Sequence, residues 1–146
     1  MAALEMKSPV ILDIPADPAS LFLVRALTAK ISEQLGFAQQ ETDRVVLALD
    51  EACANVIRHA YKGLNEERIV ITFNVSDECL EILVRDFGTP ADPETFQPRD
   101  LADVRPGGLG IHFMRSAMDT IEYSAPEDGG MLLKMIKYRP KEVSEP

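Results

Sequence analysis

Cysteine is scarce, basic residues are outnumbered, and long apolar runs are missing. Cys53 and Cys79 are the only cysteines. Apart from His59, six residues after Cys53, neither has a partner at a metal-ligand spacing, and those two residues alone do not make a site. Cys53 lies in an apolar helical stretch and reads as a small buried hydrophobe. No apolar run approaches the ~18 residues that span a bilayer, and the start, Met1 to Lys7, lacks a signal-peptide core. The expectation is a cytoplasmic protein with no membrane attachment. Lys and Arg number 15 against 24 Asp and Glu, a net charge of −9, which opposes binding to a phosphate backbone and argues against direct nucleic-acid contact. The P-loop pattern Gly-x-x-x-x-Gly-Lys-Ser/Thr is absent.

What is present suits one domain: 146 residues, 46% of them hydrophobic, can bury a real core. Val10–Ile14 reads as a strand closed by Pro15, and Asp17-Pro18 offers an N-cap and a proline at the first helical position. Leu21, Val24, Leu27 or Thr28, Ile31 and Leu35 then recur at helical spacing up to Gly36, predicting a helix over about 18–35. In a second helix, about 40–62, Val45, Val46, Leu47, Ala48, Leu49, Ala52, Cys53, Val56, Ile57 and Ala60 wrap most of the circumference, so the helix should be largely buried. A narrow polar line crosses that surface: Arg44, Glu51, Asn55, then Arg58 or His59. Arg68–Val75 and Leu80–Asp86 alternate as an antiparallel hairpin. The proline-rich stretch from Gly88 to about Gly108 predicts a long loop. A helix over Leu109–Met118, strands at about 119–125 and 131–138 joined by the turn Glu127–Gly130, and a frayed tail complete the chain.

Three segments carry chemistry. Glu51 and Asn55 stand one helical turn apart and can act on one ligand. The amide oxygen of Asn55 suits Mg2+, a hard cation that bridges nucleotide phosphates, and Glu51 can accept a proton from an attacking hydroxyl. The pair alone is also compatible with a solvated Glu and Asn on a helix edge. Asp86, at a strand end before Phe87-Gly88, can accept from the exocyclic amine of adenine, while Gly88 lets the backbone approach the base. Guanine offers an acceptor there and would be rejected; a plain turn is the other reading. Gly107, Gly108 and Gly110 open a helix, where backbone N–H groups can face phosphates, or simply mark a steric break. The acidic net charge does not oppose such a site, because Mg2+ and oriented N–H groups neutralise phosphate without a basic surface.

Glu51-x-x-x-Asn55 with His59-Ala60-Tyr61, Asp86-x-Gly88, and Gly107-Gly-Leu-Gly110, in that order, resemble the N, G1 and G2 boxes of the ATP-binding anti-sigma factor serine-protein kinases. That family shares the fold of histidine kinases and gyrase. The resemblance covers about residues 10–138. It implies an α+β two-layer sandwich, with a mixed, mostly antiparallel sheet carrying helices on one face, as a single domain over 8–139 with an ATP lid at about 91–106 and a tail over 140–146. Glu51 then corresponds to the catalytic base, Asn55 to the Mg2+ ligand and Asp86 to the adenine-binding carboxylate, while Gly88, Gly108, Leu109 and Gly110 correspond to the nucleotide loops. Arg105 would reach a terminal phosphate or remain a solvated loop arginine, and His59 and Tyr61 are read as structural helix-end residues. Where many relatives carry Thr after the last hairpin's glycines, this chain has Gly129-Gly130-Met131, which puts a hydroxyl contact from that strand in doubt. The implied role is partner switching by a homodimer: holding a sigma factor and phosphorylating a Ser or Thr of a STAS-type anti-anti-sigma protein. The alternative is a nucleotide-binding, sigma-sequestering module with little or no kinase activity.

Overall fold

The computed structural model describes residues 6–60, 67–88 and 114–141; for His59 and Ala60 only the backbone is included. Five strands, β1 (Val10–Pro15), β2 (Arg68–Val75), β3 (Cys79–Asp86), β4 (Thr120–Ser124) and β5 (Leu132–Tyr138), form one sheet in the order β1-β2-β3-β5-β4. Each pairing is antiparallel. The period of two turns alternate side chains to one face, where registers align them into apolar rows. Val10, Phe73, Ile82, Met135 and Ile121 make one row, and Leu12, Ile71, Val84, Leu133 and Tyr123 the next. The third row runs Ile14, Ile69 and then Asp86, a carboxylate where the pattern asks for another aliphatic group.

Helices cover this face. Asp17 caps a single 3-10 turn, Pro18–Ser20, its Oδ1 accepting from the Ala19 N–H at 3.0 Å, as the Asp-Pro pair predicts. α1 (Leu21–Gln34) buries Leu21, Val24, Thr28, Ile31 and Ser32, and Thr28 returns its hydroxyl to the Val24 carbonyl at 2.6 Å. The helix stops at Gly36, whose φ of 87° is the left-handed position that glycine adopts without strain. α2 (Gln39–Asn55) buries Thr42, Val45, Ala48, Leu49, Ala52 and Cys53. Side chains of both helices join those of the sheet in one core cluster, with Met114, Ala117 and Met118 closing it. Each aliphatic side chain so buried contributes about 1.5–3 kcal/mol. An ion pair, Arg25 to Asp50 at 2.7 Å, ties the two helices at the surface, where such pairs are worth less than about 1 kcal/mol.

The second helix departs from expectation twice. Leu47 is exposed and Val46 only half-buried, so one side of α2 faces solvent despite its apolar sequence. The α-helix also ends at Asn55, and the chain continues as a π-helical turn over Val56–Ala60. α1 begins three residues later than expected, behind the 3-10 turn, and the other elements lie within a residue or two of their expected bounds wherever they fall among the described residues. Of the helix expected over 109–118, residues 114–117 are described and helical. No helix among the described residues is long and apolar enough to cross a membrane.

Candidate functional site

The α-to-π transition lies at the point where the polar line leaves α2. A π turn takes an extra residue, which rotates the following side chains relative to those before it; such turns recur at functional sites. Arg58 lies within this turn, three residues after Asn55 and seven after Glu51. Its Nη2 donates to Glu51 Oε1 at 3.0 Å and to Asn55 Oδ1 at 2.6 Å. Glu51 and Asn55 are both partly buried, the Glu51 side chain being 25% exposed. The structure thus brings the expected carboxylate and amide to one guanidinium. Their acceptor oxygens converge, and a cation already bridges them.

Asp86 is 4% exposed at the end of its apolar row. Its Oδ1 accepts from the Gly88 N–H at 3.1 Å and the Met131 N–H at 3.3 Å, while its own N–H donates to the Met131 carbonyl at 3.0 Å. Burial pushes this carboxyl above the usual carboxylate range, and the two backbone N–H groups and the neighbouring Arg85 pull it partway back. Among the described residues both accepted bonds fall on Oδ1. Asp86 and Gly88 are therefore joined directly, a bond the sequence did not suggest.

The turn between β4 and β5 lies where the sequence placed it, but its contact with Asp86 is the part that sequence reasoning missed. Gly129 and Gly130 both adopt positive φ, 99° and 72°. At Gly130 a Cβ would overlap the Asp86 carbonyl oxygen and stand 3.0 Å from Phe87 Cα, both backbone atoms that cannot yield. Only glycine lets Met131 come close enough to bond Asp86. Gly130→Ala is expected to lower unfolding free energy by roughly 2–4 kcal/mol, from a left-handed residue plus a backbone clash, as read by urea denaturation. At the position where many relatives carry Thr, the Met131 backbone N–H bonds Asp86. A Gly-Gly pair before a strand was the available signal.

The two halves, one on α2 and one on β3, meet across a shared core. Ala52, Cys53 and Ile57 share the core cluster with Ile69, Val84 and Leu133 of the sheet. Cys53 is fully buried, and burial together with Asp50 pushes its thiol up to about 12, so it is the inert hydrophobe expected. Arg105, Gly108, Leu109 and Gly110, the lid over 91–106 and Tyr61 lie outside the described residues, as does the His59 side chain. Among the described residues no group of three or more His, Cys, Asp and Glu side chains could hold a metal ion. The donor set, one neutral amide oxygen beside a carboxylate, fits Mg2+, which takes few protein oxygens and completes its shell with phosphate and water.

Residues 14–137 match the family model described as histidine kinase-like ATPase domain. Serine-protein kinase RsbW of Bacillus pumilus is 31% identical over 139 residues, covering 88% of this chain and 85% of that protein. The protein of that name from Listeria monocytogenes is 30% identical over 149 residues, with 96% and 94% covered. That from Bacillus subtilis is 30% identical over 134 residues, with 86% and 82% covered.

Proposed function

The chain belongs to the histidine kinase-like ATPase family, within its group of anti-sigma factor serine-protein kinases, and from that premise we propose that it binds ATP with Mg2+, holds a sigma factor, and phosphorylates a Ser or Thr of an anti-anti-sigma protein. The observation that carries the reading is the convergence of Glu51 and Asn55 on one cationic group at the end of α2. In the working site Asn55 Oδ1 would hold Mg2+, which would supply charge neutralisation to the phosphates. Arg58 must then release Asn55 and Glu51. Glu51 takes the proton from the substrate hydroxyl as its oxygen bonds the γ-phosphorus, and the bond from that phosphorus to the bridging oxygen breaks to release ADP. Asp86 accepts from the adenine amine, fixing the base. Gly108, Leu109 and Gly110 give backbone N–H groups to the phosphates, and Arg105 pairs with the terminal one. A new phosphate on the antagonist weakens its grip through charge and desolvation at the interface, which returns the sigma factor to the kinase. The acting form is a cytoplasmic homodimer.

Nucleotide binding is tested without knowing the client. ATP with Mg2+ at a hundredfold excess over Kd should stabilise the protein by about 2.7 kcal/mol, a rise in Tm of roughly 5–10 °C for a domain of this size. GTP should leave Tm unmoved. Equal shifts with both, or with neither, would remove adenine recognition from the proposal. Incubation with labelled ATP, Mg2+ and candidate antagonists then tests transfer.

A further inference from the structure

Arg85 precedes Asp86 on β3 and projects from the opposite face of the sheet, away from the helices. Strand alternation by itself would make it a solvated arginine, yet its side chain is only 15% exposed. Nη1 donates to the Gly129 carbonyl at 2.8 Å, and Nη2 donates to Asp128 Oδ1 at 2.8 Å. The guanidinium also lies over the Phe87 ring, 4.7 Å from its centroid. One planar group therefore grips both the β4–β5 turn and the residue after Asp86. A guanidinium can do this because its donors diverge in a fixed fork and its face stacks on aromatics.

The turn so gripped is the one that delivers the Met131 N–H to Asp86 Oδ1. Arg85 and the Asp86 carboxylate thus hold the same short segment from opposite faces of the sheet. Because Gly129 and Gly130 both occupy left-handed conformations, the turn has little side-chain packing of its own to fix it. We propose that Arg85 is a positioning residue that sets adenine selectivity, by pinning the 128–131 turn so that Asp86 presents its second oxygen to the base. The assignment rests on the nucleotide-binding reading above. Arg85 does not touch the nucleotide; it acts through Gly129, Asp128 and Met131.

The test is titration of the full chain with ATP and GTP, together with phosphotransfer kinetics and amide hydrogen exchange. Arg85→Ala should raise the ATP Kd about tenfold, with GTP affinity and kcat held within about twofold, so the loss falls on binding rather than chemistry. The Met131 amide should exchange at least about tenfold faster in that variant. Arg85→Lys keeps the charge without the fork and should raise the ATP Kd roughly threefold. Asp128→Asn, at a side chain 78% exposed and hence safe for folding, should loosen the Met131 amide in the same direction. Unchanged ATP-over-GTP preference in Arg85→Ala or Arg85→Lys, with a selective wild type, overturns the role of Arg85 alone. A wild type that binds neither nucleotide overturns the reading of the site and this assignment with it.

Discussion

Glu51→Gln should lower phosphotransfer to the antagonist by about a thousandfold while leaving ATP affinity within about twofold, because a positioned general base typically contributes 10²–10⁴ and Gln cannot accept the proton. The substitution is close to isosteric, and its structural cost is small. Glu51 is held by Arg58 at 3.0 Å in a pair whose side chains are 25% and 44% exposed, and exposed pairs of this kind contribute less than about 1 kcal/mol. Asn55 keeps its own bond to Arg58 at 2.6 Å, so its side chain holds its position until Arg58 releases it to the ion. The variant therefore separates chemistry from binding: single-turnover transfer should fall while Tm still rises with ATP and Mg2+. Transfer at the wild-type rate would remove Glu51 from the role of base and leave Arg58, the other charged group at this point, as the residue to interrogate.

The strands were legible because alternation of Val, Ile, Leu and Phe in β2 and β3 is a local signal, and their registers follow once one face is buried. Asp86 was legible for the same reason: it breaks an apolar row at a strand end. The end of α2 was not. Val56, Ile57 and Ala60 keep roughly helical spacing whether the backbone hydrogen bonds are α or π, so periodicity runs on past Asn55. Leu47 counted toward an all-round apolar helix, but composition does not say which side lacks a neighbour. The turn before β5 was read correctly, but what it touches was invisible for a different reason. Its contacts join residues 43 to 45 apart in sequence, and two of them end on or start from backbone atoms, which no side-chain pattern records. Arg58 appeared in the polar line without a role, since a shared helix face does not say that one guanidinium bonds both Glu51 and Asn55.

Asp86→Asn should raise the ATP Kd about a hundredfold and, without nucleotide, make the protein more stable at neutral pH. The two effects have one source. Asn Oδ1 can still accept from the Gly88 and Met131 N–H groups, as the carboxylate oxygen does, so the turn remains docked. The second position becomes an NH₂ facing the adenine amine, donor against donor, and an unpaired buried donor costs about 1–3 kcal/mol. Guanine presents an oxygen there, so the preference for ATP over GTP should narrow by at least about tenfold. As for stability, burial raises the folded-state pKa of Asp86 above the ordinary aspartate value of 3.8. The native state then binds the proton more tightly than the unfolded chain, and wild-type stability falls as pH rises from 3.8 through the folded value, staying lower above it. Asn carries no such penalty, so its advantage should be full at pH 7 and should vanish below pH 3.8, where both side chains are neutral. Urea denaturation at the two pH values reads this directly. An Asp86→Asn variant that binds ATP as wild type does would take the carboxylate out of base recognition. If instead it were less stable than wild type at neutral pH, the ionised carboxylate would be stabilising the native state, and its burial would have to be more than offset by the N–H groups and Arg85 around it.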